Sequence, residues 1–176
     1  MIKRTVSLCL ALLLFVFLLC GCDFNNTGNE NSSGTTSGPQ YYYFQMYDDV
    51  QTPKMTFSIT NVTLKSAYDG ASPTRALFAD MTIEIANNTD KDVTVSVIEF
   101  AVIWGKGEKD FAYPSERVIG KTGVFPEKLK LKQGETGEYH LIFDLPAGLE
   151  TVNLIYGEDL TGLTQKDAYY VGIPIG

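Results

Sequence analysis

From residue 55 to the C-terminus, apolar and polar side chains alternate with a period of two almost everywhere, which is the pattern of strands that bury one face. Met55, Phe57 and Ile59 share one phase and Val62 and Leu64 the other, so a bulge or a switch between sheets is predicted between them. Leu77, Ala79, Met81, Ile83 and Ile85 face one way and Asp80, Thr82 and Glu84 the other, which predicts a half-buried strand. A polar turn at 87–92 leads to Val93, Val95 and Val97, and a second phase change leads to Ile98, Phe100, Val102 and Trp104. After the Gly105-Lys106-Gly107 turn come Phe111 and Tyr113 before Pro114, then a loop over 115–123, then Leu129 and Leu131. Gln133-Gly134-Glu135 turns the chain into Tyr139, Leu141, Phe143 and Leu145, stopped by Pro146. Val152, Leu154 and Tyr156, then Tyr169, Val171 and Ile173, complete the series, and 158–166 has room for one helical turn. About seven to nine short strands punctuated by turns predict an all-β chain folded as an antiparallel β-sandwich. A closed barrel would show the same pattern.

The N-terminus follows a different rule. Lys3 and Arg4 precede an unbroken apolar run from Val6 to Leu19, the make-up of a secretory signal and too short to span a bilayer comfortably. Its end, Leu19-Cys20-Gly21-Cys22, resembles the lipobox of bacterial lipoproteins. The resemblance implies fatty acylation of the Cys22 thiol and cleavage between Gly21 and Cys22, making residues 1–21 a leader. Cys9 and Cys20 would leave with it, so the remaining chain has no thiol pair for a disulfide. Residues 22–40 are then dominated by Asn, Ser, Thr and Gly, which bury too little to offset the entropy of ordering. They are expected to be a disordered tether with a span of about 23 Å, with the domain proper running over 41–176.

Charge narrows the partners. The net charge is −7, and losing Lys3 and Arg4 with the leader takes it to −9, so nucleic acid is excluded as a partner and the lipid on Cys22 must supply the membrane attachment. The expected location is the extracytoplasmic face of a bacterial cell membrane.

Two stretches, FADMTIEIANNTDKDVTVSVIEFAVI and LKLKQGETGEYHLIFDLPAGLETVNLIYG, carry a further likeness. They resemble the immunoglobulin-like domain of unknown function found in many Gram-positive lipoproteins, related in fold to the mycobacterial secreted immunoprotective antigen. The matching positions are Ile83 to Asn88, Val93 to Phe100, Leu131 to Glu135, with Gln133 where proline is common, and Phe143 to Pro146. The resemblance implies an immunoglobulin-like sandwich and extracytoplasmic exposure. It implies no activity, because that family has no established shared catalytic residues.

Candidate chemistry is sparse. His140 is the one histidine, and alternation puts it on the solvent face with Glu138 and Asp144, the latter about 13 Å along the strand and out of reach. No Gly-x-Ser-x-Gly elbow occurs, and no zinc-like His/Cys spacing does. Asn88, Asp90, Asp92 and Glu99 match positions of a calcium loop, but Val93 stands where its glycine is needed. Loop carboxylates such as Asp48, Asp49, Asp110 and Asp159 are an alternative on charge alone; no metal or cofactor is expected. The strongest candidate binding surface is Tyr41, Tyr42, Tyr43, Phe44 and Tyr47, since an alternating strand there shows aromatics on both faces, against the plainer reading of a first strand with half its rings in the core. Lys128, Lys130 and Lys132 line one face opposite Leu129 and Leu131 and discourage aggregation. The function expected is a noncatalytic binding or interaction module for an envelope protein, peptide or glycan. The alternatives are a structural accessory subunit and a hydrolase with two carboxylates about 5–10 Å apart in a cleft.

Overall fold

The alternating segments become strands, in chain order β1 (Tyr41–Gln45), β2 (Val50–Gln51), β3 (Thr56–Lys65), β4 (Leu77–Ala86), β5 (Val93–Ser96), β6 (Phe100–Ile103), β7 (Phe111–Ala112), β8 (Lys128–Leu131), β9 (Thr136–Leu145), β10 (Thr151–Gly157) and β11 (Ala168–Pro174). This computed structural model describes residues 38–158, 160 and 166–176. The leader, the Gly21-Cys22 junction and the tether as far as residue 37 lie outside the described residues, as do Asp159 and 161–165, where the helical turn was expected. The strand count exceeds the expected seven to nine because β2 and β7 contribute two residues each.

The strands form separate sheets rather than a barrel. One has the order β1-β11-β10-β6-β7, a second β2-β3-β4-β9, and β5 pairs with β8. Their inner faces meet in a single core that joins Phe57, Met81 and Phe143 to Phe100, Leu154, Tyr156 and Val171, with Val95, Leu129 and Leu131 closing one side. Phe57 meets the Phe100 ring edge-on at 5.8 Å, and Phe125 meets Phe100 at 5.5 Å, geometry that favours aromatic pairs beyond their burial.

Both phase changes mark real discontinuities. The first is a bulge in β3 between Ile59 and Asn61, where the register against β4 shifts. The second is a 3-10 turn at Val97–Glu99, which carries the chain out of its pairing with β8 and into its pairing with β10. The turn at 87–92 is built round Asn87, which is fully buried. Its amide donates to the carbonyls of Lys91, Leu131 and Lys132, and its oxygen accepts from the backbone and hydroxyl of Thr89.

One expectation needs correction. Strand β4 is not half-buried: Phe78, Asp80 and Thr82 on its outer face are buried too, and Glu84 is the exposed exception. The cover comes from the loops at 66–76 and 113–125, whose Tyr68, Ala71, Val118 and Val124 gather with Phe78 and Ile142 in a second apolar cluster. The sandwich is antiparallel as expected, with one exception among the named strands: β1 runs parallel to β11, with Tyr41 opposite Ala168 and Gln45 opposite Gly172.

Candidate functional site

Strand β1 is an edge of the five-stranded sheet. The Ala168 N–H donates to the Gln40 carbonyl at 3.0 Å and the Met46 N–H to the Gly172 carbonyl at 3.1 Å. In a parallel ladder a strand's bonding residues alternate, so the even-numbered residues bond inward and the N–H and C=O groups of Tyr41, Tyr43 and Gln45 point away from the sheet. Gln45 is already occupied: its N–H donates to the Asp48 carboxylate at 2.7 Å and its carbonyl accepts from the Asp48 N–H at 3.1 Å. Tyr41 and Tyr43 therefore present the open stretch of backbone.

The rings repeat this order. Tyr43 stacks on Tyr170 at 5.2 Å and 23° on the outer face, with Tyr41 tilted against the same ring at 6.2 Å. On the other face Tyr42 stacks on Tyr169 at 4.9 Å and 14°. Each stack is a cross-strand neighbour pair, set by the register of β1 on β11. Burial raises the phenol pKa of Tyr169 and of Tyr170, helped at Tyr170 by Tyr43 and Tyr41. Exposure is 57% for Tyr41, 40% for Tyr42, 76% for Tyr43 and 70% for Tyr47.

Aromatics therefore stand on both faces, and of the five rings only Phe44 packs against the core, while Tyr42 on the same face stays well exposed. Tyr47 lies beyond the strand at φ 76°, its N–H bonded to the Ile59 carbonyl, and does not join the ring stacks of β1. Tyr169 and Tyr170 were legible only as part of an ordinary last strand, because their role depends on a partner more than a hundred residues earlier in the chain.

Four other edges are treated differently. Strands β2 and β7 are two residues long, and β8 carries Lys128 and Lys130 outward. Strand β9 is covered by the 113–125 loop, whose Ser115 and Phe125 N–H groups donate to Ile142 and His140 carbonyls. Short, charged or covered edges resist strand addition. The five residues of β1, YYYFQ, carry no charge and are not covered by any of the described residues.

The sequence placed His140 on a plain solvent face, and this too needs correction. Its imidazole Nδ1 lies 2.7 Å from the Asp80 carboxylate, whose second oxygen holds Lys65 Nζ at 2.5 Å. Asp80 is 3% exposed, so its two oxygens depend on these partners in place of water. Lys65 lies over the Tyr68 ring at 5.0 Å, and the loop above is tied by Lys121 to the Asp69 carboxylate at 2.8 Å. Together these side chains line a polar recess of about 460 Å³. Sequence distance hid the pair, because the sheet brings Asp80 beside a residue sixty positions later.

The calcium-like residues are dispersed. Glu99 pairs with Lys54 and accepts from the Tyr156 hydroxyl, Asp92 accepts from the Gln133 N–H, and Asn88 donates to Thr56. Asp110 closes its own turn through the Gly107 N–H, and among the described residues no group of three or more His, Cys, Asp or Glu is placed to hold a metal ion. Glu84 and Glu138 do sit opposite one another across β4 and β9, beside Asp49 in an open recess. Both are exposed, so burial sets neither apart from the other as acid and base would require.

No family model and no curated protein matches the chain. Solved structures do. The yjhA protein of Bacillus subtilis superposes with a TM-score of 0.51 at 11% identity, over 76% of this chain and 99% of its own. MPT63, a secreted protein from Mycobacterium tuberculosis, gives 0.53 at 11% identity over 72% of this chain and 95% of its own. The candidate lipoprotein ycdA of Bacillus subtilis gives 0.53 at 15% identity over 72% of this chain and 38% of its own. With its two main sheets packed on one core and its strand-and-turn order, the chain has an immunoglobulin-like β-sandwich fold related to that of these bacterial proteins.

Proposed function

We propose that this is an extracytoplasmic lipoprotein, held to the cell membrane by acylated Cys22, whose sandwich is a noncatalytic interaction module. The observation that carries the binding role is the β1 edge: two uncharged residues whose outward backbone groups have no partner among the described residues, flanked by exposed tyrosines. Because Tyr42 and Tyr43 already use one ring face on Tyr169 and Tyr170, the surface fits an extended protein segment better than a flat sugar ring. The lipobox-like end of the leader supports the location, and the fold shared with a secreted protein and a candidate lipoprotein agrees with it.

The anchor is tested by Cys22→Ala, which should abolish lipid labelling and release the chain from membranes; continued lipidation refutes it. The module is tested by crosslinking in intact cells followed by isolation of the tagged lipoprotein and mass spectrometry. A protein partner lost on Tyr43→Lys supports the reading, and capture indifferent to that change refutes the β1 assignment. Catalysis by the facing acids is the competing outcome, and a hydrolytic activity abolished by Glu84→Gln or Glu138→Gln would establish it.

A further inference from the structure

We infer that the occupant of the β1 edge is a second copy of this chain, joined antiparallel about a two-fold axis through Tyr42. The inference rests on the proposed role of that edge and names its partner. Antiparallel strands exchange both N–H···O=C bonds only where outward-pointing residues face each other. With Tyr42 opposite Tyr42 of the second copy, Tyr41 faces the second copy's Tyr43 and Tyr43 faces its Tyr41. All the open backbone groups of β1 are then used.

The register also ends cleanly. Gln45, whose backbone groups are taken by Asp48, falls opposite Pro39, which has no N–H to donate. A register centred on Tyr43 would instead set Tyr41 against Gln45 and displace Asp48. The rings make the same choice. The stack of Tyr169 on Tyr42 continues onto the second copy's Tyr42, and on the outer face Tyr43 and Tyr41 meet their opposites beside Tyr170. The edge is self-complementary, as a two-fold interface requires.

Charge agrees with contact at this strand. Without its leader each chain carries a net −9, so two copies repel at a distance, yet Tyr41 to Met46 include no Asp, Glu, Lys or Arg. Salt that screens the long-range repulsion should strengthen the pair. A seam one short strand long buries less than a standard interface, so the pair is concentration-dependent and needs a trap to be seen.

A cysteine at the two-fold axis supplies one. In an antiparallel pair without mutual hydrogen bonds the Cα atoms stand about 4.5 Å apart, within reach of a disulfide. The full chain in its own membrane, carrying Tyr42→Cys, is treated with a mild oxidant and run on a non-reducing gel. The unaltered chain, whose Cys9 and Cys20 leave with the leader and whose Cys22 carries the lipid, gives the background, and Tyr47→Cys is the off-axis control. Tyr42→Cys should give roughly tenfold more covalent dimer than either. Tyr41→Cys and Tyr43→Cys should each give little alone and trap one another when co-expressed. Adding Tyr43→Lys to the Tyr42→Cys chain should abolish trapping without changing the urea unfolding midpoint. Equal trapping at positions 42 and 47 overturns both the dimer and the role of the edge. Trapping of a different protein at position 42 overturns the second copy and leaves the edge as an interaction surface.

Discussion

Replacing Asn87 by alanine removes five hydrogen bonds from a fully buried side chain: three from its amide to the Lys91, Leu131 and Lys132 carbonyls and two from Thr89 to its oxygen. A hydrogen bond contributes about 0.5–1.5 kcal/mol net, while a buried group left without its partner costs about 1–3 kcal/mol. The Leu131 carbonyl is bonded in a buried position, whereas Thr89 and Lys91 are near enough to the surface for water to replace part of the loss. The expected destabilisation is therefore about 3–4 kcal/mol, a large share of the roughly 5–15 kcal/mol that holds a typical domain together. Urea unfolding followed by circular dichroism should show a midpoint lowered by about 1.5–2 M at an unchanged slope near 2 kcal/mol/M. Asn87→Asp sharpens the test, because it keeps the shape but turns an acceptor toward three carbonyls; it should cost at least as much as alanine. A loss below about 1 kcal/mol for either variant would refute the view that this amide joins the 87–92 turn to β8.

Asp80→Asn should lower stability by about 1–3 kcal/mol, less than for a fully enclosed pair because Lys65 and His140 are partly exposed and can turn to water. In the unaltered chain nitrogen-15 NMR should find a proton on His140 Nδ1, the ring nitrogen that faces Asp80, and a proton on Nε2 alone would refute the contact. Burial, with Glu99 next, drives the Tyr156 phenol pKa far above its ordinary value of 10.0. The unfolded chain thus loses this proton first, so the stability is present in full below about pH 10 and falls as pH rises above it. Tyr156→Phe should flatten that alkaline loss in pH-dependent urea unfolding, and an equally steep loss would refute the linkage. Glu84→Lys replaces a like-charge pair opposite Glu138 by an attractive one and should raise stability by about 0.5–1 kcal/mol at low salt, fading as salt is added; a lower melting temperature would show that Glu84 has a favourable partner.

The inner faces of the sandwich were legible because burial imposes a period of two, and even the β3 bulge and the turn at Val97–Glu99 left phase changes in the residue pattern. The outer face of β4 was not. Asp80 and Thr82 read as solvent-facing because the loops that cover them are irregular and carry no period. The same limit applies to His140, where the local pattern describes the strand and the chemistry comes from another one. Tyr41 to Tyr43 were conspicuous as a run, but the parallel pairing to Tyr169 and Tyr170, which determines which backbone groups stay open, is a property of the closed fold.

The parallel placement of β1 beside β11 also has a mechanical consequence. The chain enters β1 at Tyr41, level with Ala168, and leaves β11 past Pro174, at the opposite end of the same ladder. A pull between residue 38 and Gly176 therefore drags two neighbouring strands lengthwise past one another, loading their hydrogen bonds in shear and together rather than opening them one at a time. A cargo attached past Gly176 would stand at the opposite end of the β1–β11 ladder from the entry at Tyr41, with these two strands as the clamp between them.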